Sequence, residues 1–215
     1  MTRALRTVVL VSGDGSNLQA ILDHASAGSM NLSVIGVLSD RPGVRALERA
    51  ARASVPALTI DYAATGSRTA FAEKLASALL ELKPDLLLLA GFMRVLDTEL
   101  VEAYGGRMLN VHPSLLPRYP GLHTYRRALK AGESEHGATV HFVIPELDAG
   151  PGILQYRVPI GAGDTESSLR DRVRAGEHLI YPRASAWVAA GRVALKDGAV
   201  WLDGVRLERP LVVDE

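Results

Sequence analysis

The sequence contains no cysteine. This absence excludes disulfide bonds, thiolate metal ligands and thiol nucleophiles, and it is typical of proteins from reducing compartments. No stretch approaches the roughly 20 consecutive apolar residues that a membrane span needs, and the first residues lack the apolar core and cleavage site of a signal peptide. We therefore expect a cytoplasmic protein with no membrane partner.

An excess of charge of either sign is also missing, since 24 basic residues balance 24 acidic ones. No basic run stands out that could follow a phosphate backbone, so we expect no nucleic-acid partner. The 215 residues, of which 47% are hydrophobic, suit one globular domain. We therefore expect no large polyanionic partner.

Apolar runs alternate with amphipathic segments along the first half of the chain. TVVLV at 7–11 predicts a buried parallel strand, and NLQAILDHA predicts a helix with Ser16 or Asn17 near its cap. Apolar residues at helical spacing predict a helix from about Ser67 that stops at Pro84. RVLDTELVEAY, after the strand DLLLLAG, predicts another helix, and VALKDGAVWL predicts a hairpin. The alternation predicts an α/β protein with a mostly parallel twisted sheet, a Rossmann-like N-terminal half and helices on both faces.

The turn SGDGSN joins the first strand to the first helix. Glycines 13 and 15 would let the chain turn sharply and expose backbone amides at a helix N-terminus, which favours a bound phosphate. A dinucleotide site would need a third glycine where Leu18 stands, and the Gly-Lys-Ser/Thr of nucleoside-triphosphate loops is absent. The motif indicates either a site for a single phosphate or a plain tight turn without a ligand.

The stretch MLNVHPSLLPR places an amide and an imidazole two residues apart. If both are extended, Asn110 and His112 project to the same side at the carboxyl end of a strand, where α/β sheets bind ligands. An amide donor beside a proton-carrying histidine suits acyl-type transfer. The alternative is an asparagine that satisfies loop backbone groups beside a histidine packed on the prolines.

A carboxylate could complete this pair, and Asp148 in ELDAGPG is the best candidate. Near His112 it would orient the imidazole ring and favour its charged form; alternatively it only starts a turn. His136 and His141 are five residues apart, which on a strand predicts opposite faces, and no His-Glu-x-x-His pair exists. We therefore expect no metal site, and the Gly-x-Ser-x-Gly elbow of hydrolases is absent as well.

Five collinear stretches between about residue 7 and residue 191 resemble one family, the folate-dependent phosphoribosylglycinamide formyltransferases of purine synthesis. They are VLVSGDGSNLQAI, LLLAGFMRVL, MLNVHPSLLPRYPGLHTYRRAL, HGATVHFVIPELDAGP and GDTESSLRDRVRAGEHLIYP. The resemblance implies the formyltransferase fold and transfer of the formyl group of 10-formyltetrahydrofolate, the co-substrate, to the amine of phosphoribosylglycinamide. It implies no need for a metal or ATP, and a monomer or homodimer.

The resemblance also implies roles for individual residues. The catalytic trio would be Asn110, His112 and Asp148. The substrate would be bound through its phosphate by Gly15, Ser16 and Asn17, and through its ribose hydroxyls by Glu177. The folate would be bound by Arg68, Met93, Arg94, Val95, Leu96, Asn110, Ile144 and Asp148, with Met93 to Leu96 on the pteridine and Ile144 to Asp148 as a folate-binding loop.

On this basis we expect a single formyltransferase domain over residues 1–215. Its N-terminal phosphate-binding half would cover about 7–105, its C-terminal folate and catalytic half about 106–191, and a C-terminal hairpin about 192–215. Two positions depart from the family pattern: the pair Ile144-Pro145 replaces more polar residues, and Gly152 stands where a β-branched residue is common.

Three other readings fit parts of the sequence. The formyltransferase acting on initiator methionyl-tRNA resembles the chain around HPSLLPRYPG, but we do not expect its extra RNA-binding domain in so short and neutral a chain. Formyltetrahydrofolate deformylase carries a regulatory domain that we do not expect before residue 7. A phosphate- or folate-binding regulator without turnover is disfavoured by the intact trio.

Overall fold

Strands and helices alternate in the computed structural model, which describes residues 3–215. The contacts divide the chain into two compact units, one that ends at Leu109 and one from Asn110 to Glu215. The prediction of a single domain is not tested by this division and stays a prediction. None of the helices between residues 3 and 215 is long and apolar enough to cross a membrane.

The first unit is a parallel sheet with helices in its crossovers. Its strands and helices are β1 (Leu5–Val11), α1 (Ser16–Ser26), β2 (Leu32–Ser39), α2 (Arg45–Arg52), β3 (Ala57–Thr59), α3 (Arg68–Leu82), β4 (Leu86–Leu89) and α4 (Thr98–Ala103). The strand order is β4-β1-β2-β3, and all neighbours run parallel. Val8 to Val11 of the central strand are fully buried, as expected for a strand covered on both faces.

The carboxyl ends of these parallel strands lie at one edge of the sheet, where such folds bind ligands. β1 leads there into the glycine-rich turn, β2 into Asp40, and β4 into the segment 90–97. α3 is capped by Ser67, whose hydroxyl accepts from the Ala70 amide, and it ends just before Pro84. This helix is as the apolar periodicity predicted.

The second unit begins within β5 (Met108–His112), which spans the boundary between the two units. It continues with α5 (Thr124–Lys130), β6 (Glu135–Phe142), β7 (Gly152–Pro159), α6 (Glu166–Ala189), β8 (Val193–Lys196), β9 (Ala199–Leu202), β10 (Val205–Arg206) and β11 (Leu211–Asp214). The sheet order is β11-β7-β6-β5, with β6 and β7 antiparallel and β11 parallel to β7. A separate sheet has the order β10-β9-β8.

Most predicted elements are confirmed, including the mostly parallel α/β sheet and the C-terminal hairpin. β8 and β9 pair antiparallel around Asp197 and Gly198, both with positive φ, as a two-residue hairpin turn requires. The N-cap of α1 is Gly15, directly before Ser16. One detail was wrong: residues 94–97 are not helical, because α4 begins only at Thr98.

Candidate active site

β5 delivers the amide and the imidazole together, as the spacing predicted. Asn110 and His112 lie two residues apart on the same strand, and the His112 side chain is buried. The 113–123 loop that follows is anchored on β6 and β7. Thr139 donates to the carbonyl of Ser114 and accepts from the Leu116 amide, and Gln155 donates to the Leu116 carbonyl. The strand end and its loop therefore form a fixed platform.

Both ring nitrogens of His112 face hydrogen-bond acceptors. Nδ1 lies 3.4 Å from Oδ2 of Asp148, and Nε2 lies 3.0 Å from the carbonyl oxygen of Tyr119. Only a doubly protonated ring can donate to both partners. A ring that carries both protons would be held on both sides, and its Nδ1 proton would face the Asp148 carboxylate.

Asp148 is fixed by its backbone as well as by its partners. Its φ of 52° is left-handed, which aspartate tolerates better than most residues, and Oδ2 also accepts from the Gly121 amide at 2.8 Å. The loop closes tightly two residues later, because a Cβ on Gly150 would lie 1.8 Å from the carbonyl oxygen of Phe142. The carboxylate is only 7% exposed, so it acts on His112 with little screening by water.

His141 is a member of this group that the sequence did not reveal. Its Nδ1 donates to the carbonyl of Phe142 at 2.9 Å, so its Nε2 accepts from the Asn110 amide at 3.1 Å. Burial lowers the pKa of His141, which keeps the ring neutral and able to accept. An asparagine amide carries two N–H donors, so the bond to His141 uses one and orients the other.

His141 and Asp148 also approach each other, with Nε2 and Oδ1 4.0 Å apart. The four side chains of Asn110, His112, His141 and Asp148 thus form one connected cluster within the second unit. It offers an oriented N–H donor, a proton carrier and a carboxylate, which are the groups that acyl transfer needs. Among residues 3–215 no three histidine or acidic side chains are grouped to hold a metal ion.

The glycine-rich turn of the first unit has the geometry of an anion site. Gly15 has a φ of 76°, and a Cβ there would lie 2.7 Å from Cβ of Ala46, so only glycine fits. No side chain caps the helix that starts at Ser16, and its first turn carries no acidic residue. The Asp14 carboxylate pairs with Arg45 and Arg49, 3.2 and 3.1 Å away, which offsets its charge. The local field therefore suits a phosphate.

The predicted folate residues of the first unit line one cleft. Arg68, Met93, Arg94, Val95 and Leu96 lie there together with Tyr62, Phe71 and Leu75. The Met93 amide donates to Ser12 at 2.8 Å, and Nε of Arg94 donates to Asp40 at 2.6 Å. The Arg94 guanidinium lies 3.9 Å over the ring of Tyr62. These contacts anchor Met93 and Arg94 outside a helix, so α4 begins later than the apolar pattern predicted.

The remaining predicted residues, Ile144 and Glu177, lie in the second unit. Ile144 is half-buried at the start of the loop that carries Asp148. Glu177 is buried in α6, and its charge adds to burial, the larger cause, in raising the pKa of Tyr125. The glycine before it packs flat on Tyr156, where a Cβ would lie 1.9 Å from the ring.

The fold and the cluster define an α/β enzyme built for transfer of a small acyl group, and the comparisons agree. The chain belongs to the formyl transferase family, whose model matches residues 5–185. This confirms the family-level resemblance that the five sequence stretches gave.

The particular relatives are phosphoribosylglycinamide formyltransferases. The Escherichia coli K12 protein of that name is 48% identical over 203 residues, which cover 94% of this chain and 96% of the relative. A solved phosphoribosylglycinamide formyltransferase from Coxiella burnetii is 45% identical with a TM-score of 0.90, covering 96% of this chain and 99% of the other. A glycinamide ribonucleotide transformylase from Symbiobacterium toebii is 46% identical with the same TM-score, covering 94% and 95%.

Proposed function

We propose that the protein transfers the formyl group of 10-formyltetrahydrofolate to the amine of phosphoribosylglycinamide, a step of purine synthesis. The observation that carries this proposal is the His112 ring held between Asp148 and the Tyr119 carbonyl, beside an oriented Asn110 amide. Similarity over nearly the whole length of the E. coli phosphoribosylglycinamide formyltransferase supports the choice of acceptor.

The reaction is a direct transfer between two nitrogens. The acceptor amine attacks the formyl carbon, a new C–N bond forms, and the formyl oxygen becomes an oxyanion. The free N–H of Asn110 and the His112 imidazolium stabilise that oxyanion. As the bond to the folate nitrogen breaks, His112 gives a proton to the leaving nitrogen, and Asp148 takes up the proton of the amine through a water molecule.

The rate effects typical of such groups agree with these roles. An oxyanion donor contributes roughly 10²–10³ in rate, and a positioned acid or base roughly 10²–10⁴. Burial of His112 and Asp148 strengthens both effects, because charges interact more strongly away from water. The side chains carry out the chemistry themselves, with no step assigned to a metal or to ATP.

We assign the binding roles that the family resemblance implies. Gly15, Ser16 and Asn17 hold the phosphate at the start of α1, and Glu177 holds the ribose hydroxyls. The folate is bound by Arg68 and by Met93 to Leu96, the residues of the first-unit cleft. Ile144 to Asp148 form the folate loop of the second unit. We place the enzyme in the cytoplasm as a monomer or homodimer acting on small molecules.

The test is an absorbance assay of purified protein with a 10-formyl folate and phosphoribosylglycinamide, without ATP or added metal. We expect formyl loss that depends on the acceptor, at least about 100-fold slower in His112→Ala. His24→Ala, at an exposed histidine of α1, is the matched control and should match wild type. Formyl loss without acceptor would identify a deformylase instead, and no loss at all would contradict an enzyme of this reaction.

A further inference from the structure

The hydrogen bond between His112 and the Tyr119 carbonyl depends on an unusual backbone conformation. Tyr119 has a φ of 57°, in the left-handed region that non-glycine residues rarely adopt. Such a residue persists only when its surroundings hold it. Ser114 donates to the carbonyl of Arg118 and Arg127 donates to that of Pro120, so the backbone is held on either side of this residue. The contacts of the Tyr119 side chain hold the residue itself.

We propose that Glu133 is a positioning residue for His112, acting through Tyr119. The Tyr119 hydroxyl donates to Oε1 of Glu133 at 2.7 Å, and Nη1 of Arg118 donates to Oε2 at 2.9 Å. The carboxylate therefore holds two consecutive residues of the 113–123 loop. The inference rests on the proposed function, because it assigns Glu133 a part in that reaction.

The Tyr119 ring makes two weaker contacts on its other sides. It meets the His136 ring edge-on with centroids 6.2 Å apart, and the Arg127 guanidinium lies 5.2 Å from its centre. Neither contact fixes rotation about the ring axis or the depth of the hydroxyl. The hydrogen bond from the Tyr119 hydroxyl to Glu133 fixes both. The same bond is the largest cause of the lowered pKa of the Glu133 carboxyl, which keeps that carboxyl ionised and able to accept.

Loss of the Glu133 carboxylate would release the strained backbone of Tyr119. Without its hydroxyl partner, Tyr119 can relax toward ordinary φ values, which turns its carbonyl away from Nε2 of His112. The imidazole then loses one of its two anchors while Asp148 keeps the other. A misplacement of about 1 Å at a reacting group can cost roughly 100-fold in rate, so a partial release should cost about tenfold.

A neighbouring carboxylate provides the matched control. Glu135 also accepts from Arg118, at 2.6 Å, and from Arg157 at 3.5 Å, but it pairs with arginines alone. Glu133→Ala removes the partner of the Tyr119 hydroxyl, whereas Glu135→Ala removes only ion pairs on the same loop. Glu133→Gln keeps an oxygen that can accept from the hydroxyl. Tyr119→Phe removes the hydroxyl and keeps the ring.

The experiment measures kcat and both KM values for these four variants of the full chain beside wild type. We expect kcat to fall about tenfold in Glu133→Ala and Tyr119→Phe, with KM values within about twofold. Glu133→Gln should recover most of the rate, Glu135→Ala should match wild type, and the double variant Tyr119→Phe/Glu133→Ala should lose no more than either single one. Equal losses in Glu135→Ala and Glu133→Ala would overturn the inference, as would a wild-type kcat in Glu133→Ala.

A second readout does not depend on turnover. In ¹⁵N-histidine spectra of the ligand-free protein, assigned with His112→Ala, the hydrogen-bonded Nε2–H of His112 should give a resolved signal in wild type and Glu135→Ala. It should be lost to exchange with water in Glu133→Ala. A signal that persists in Glu133→Ala overturns the inference even if the wild type transfers formyl groups. If wild type transfers none, the proposed function fails while this measurement still tests Glu133.

Discussion

The carboxylate of Asp148 accepts a hydrogen bond from the Gly121 amide at 2.8 Å, which ties the loop after β6 to the loop after β5. The same oxygen faces Nδ1 of His112 at 3.4 Å. One oxygen atom of Asp148 therefore both joins the two loops and orients the ring of His112.

Asp148→Asn should keep the fold and lose most of the activity. The asparagine oxygen can still accept from Gly121, but the amide has only one oxygen and no charge to stabilise the His112 imidazolium. We expect kcat to fall by about 100-fold or more, with the thermal unfolding midpoint close to that of wild type. Steady-state kinetics and calorimetry measure the two quantities. A kcat within a few-fold of wild type would remove the carboxylate from the proton path.

Arg94→Lys should weaken folate binding more than it slows the reaction. Lysine has no planar group to lie over Tyr62 and makes a poorer bond to the buried Asp40, so residues 93–96 lose their rigid shape. We expect the KM for the folate to rise several-fold, with a smaller change in kcat. Arg41→Lys is the control, since Arg41 is exposed and lies 3.7 Å from the same carboxylate. Equal effects of both variants would speak against a specific role of Arg94.

Gly15→Ala should damage the phosphate turn. The added Cβ would meet Ala46 at 2.7 Å in a backbone conformation that alanine disfavours. We expect the free energy of unfolding to fall by at least about 1–2 kcal/mol and the KM for phosphoribosylglycinamide to rise well above that for the folate. Gly13→Ala is the matched control, because a Cβ there meets nothing within 4 Å. Urea unfolding and kinetics at varied acceptor concentration provide both measurements.

The free energy of unfolding should fall at acid pH because of His136. Burial, the largest cause, lowers the pKa of this ring to about 4; His112 and Arg118 act in the same direction and Glu133 opposes them. The unfolded chain binds the proton near pH 6.5, so the folded form carries fewer protons between the two values. The contribution of His136 to the free energy of unfolding is therefore fully present above about pH 6.5. It falls by roughly 3 kcal/mol as the pH drops to about 4.

Unfolding by urea at a series of pH values measures this slope. His136→Gln should flatten it between pH 4 and 6.5, whereas His24→Gln, at an exposed site, should leave it as in wild type. An unchanged slope in His136→Gln would assign the acid sensitivity to other groups.

Local patterns in the sequence predicted the elements that depend on neighbouring residues. The buried run of β1, the periodicity of α3 and the Asp-Gly hairpin turn all appear where expected, since apolar spacing and turn chemistry determine them locally. The spacing of Asn110 and His112 likewise placed two site residues on one strand end.

Features that depend on contacts between separate parts of the chain could not be predicted from local sequence patterns. His141 gains its role only because Asn110, 31 residues away in sequence, lies beside it. Residues 94–97 carry a helical pattern, but Met93 is bonded to Ser12 and Arg94 to Asp40, and the helix begins only at Thr98. Gly15 caps α1 because α2 packs too closely for any side chain. Tertiary packing overrides local preference at each of these points.

Gly152 departs from the family pattern, and its surroundings give the reason. A Cβ on Gly152 would lie 2.6 Å from Cγ of Pro210, the residue that leads into β11. The bare α-carbon thus leaves the space through which the last strand reaches β7. A side chain at position 152 would therefore require Pro210, and with it the start of β11, to move. A graft that replaces β7 of this chain by a strand with a larger first residue should replace the C-terminal strand in the same step.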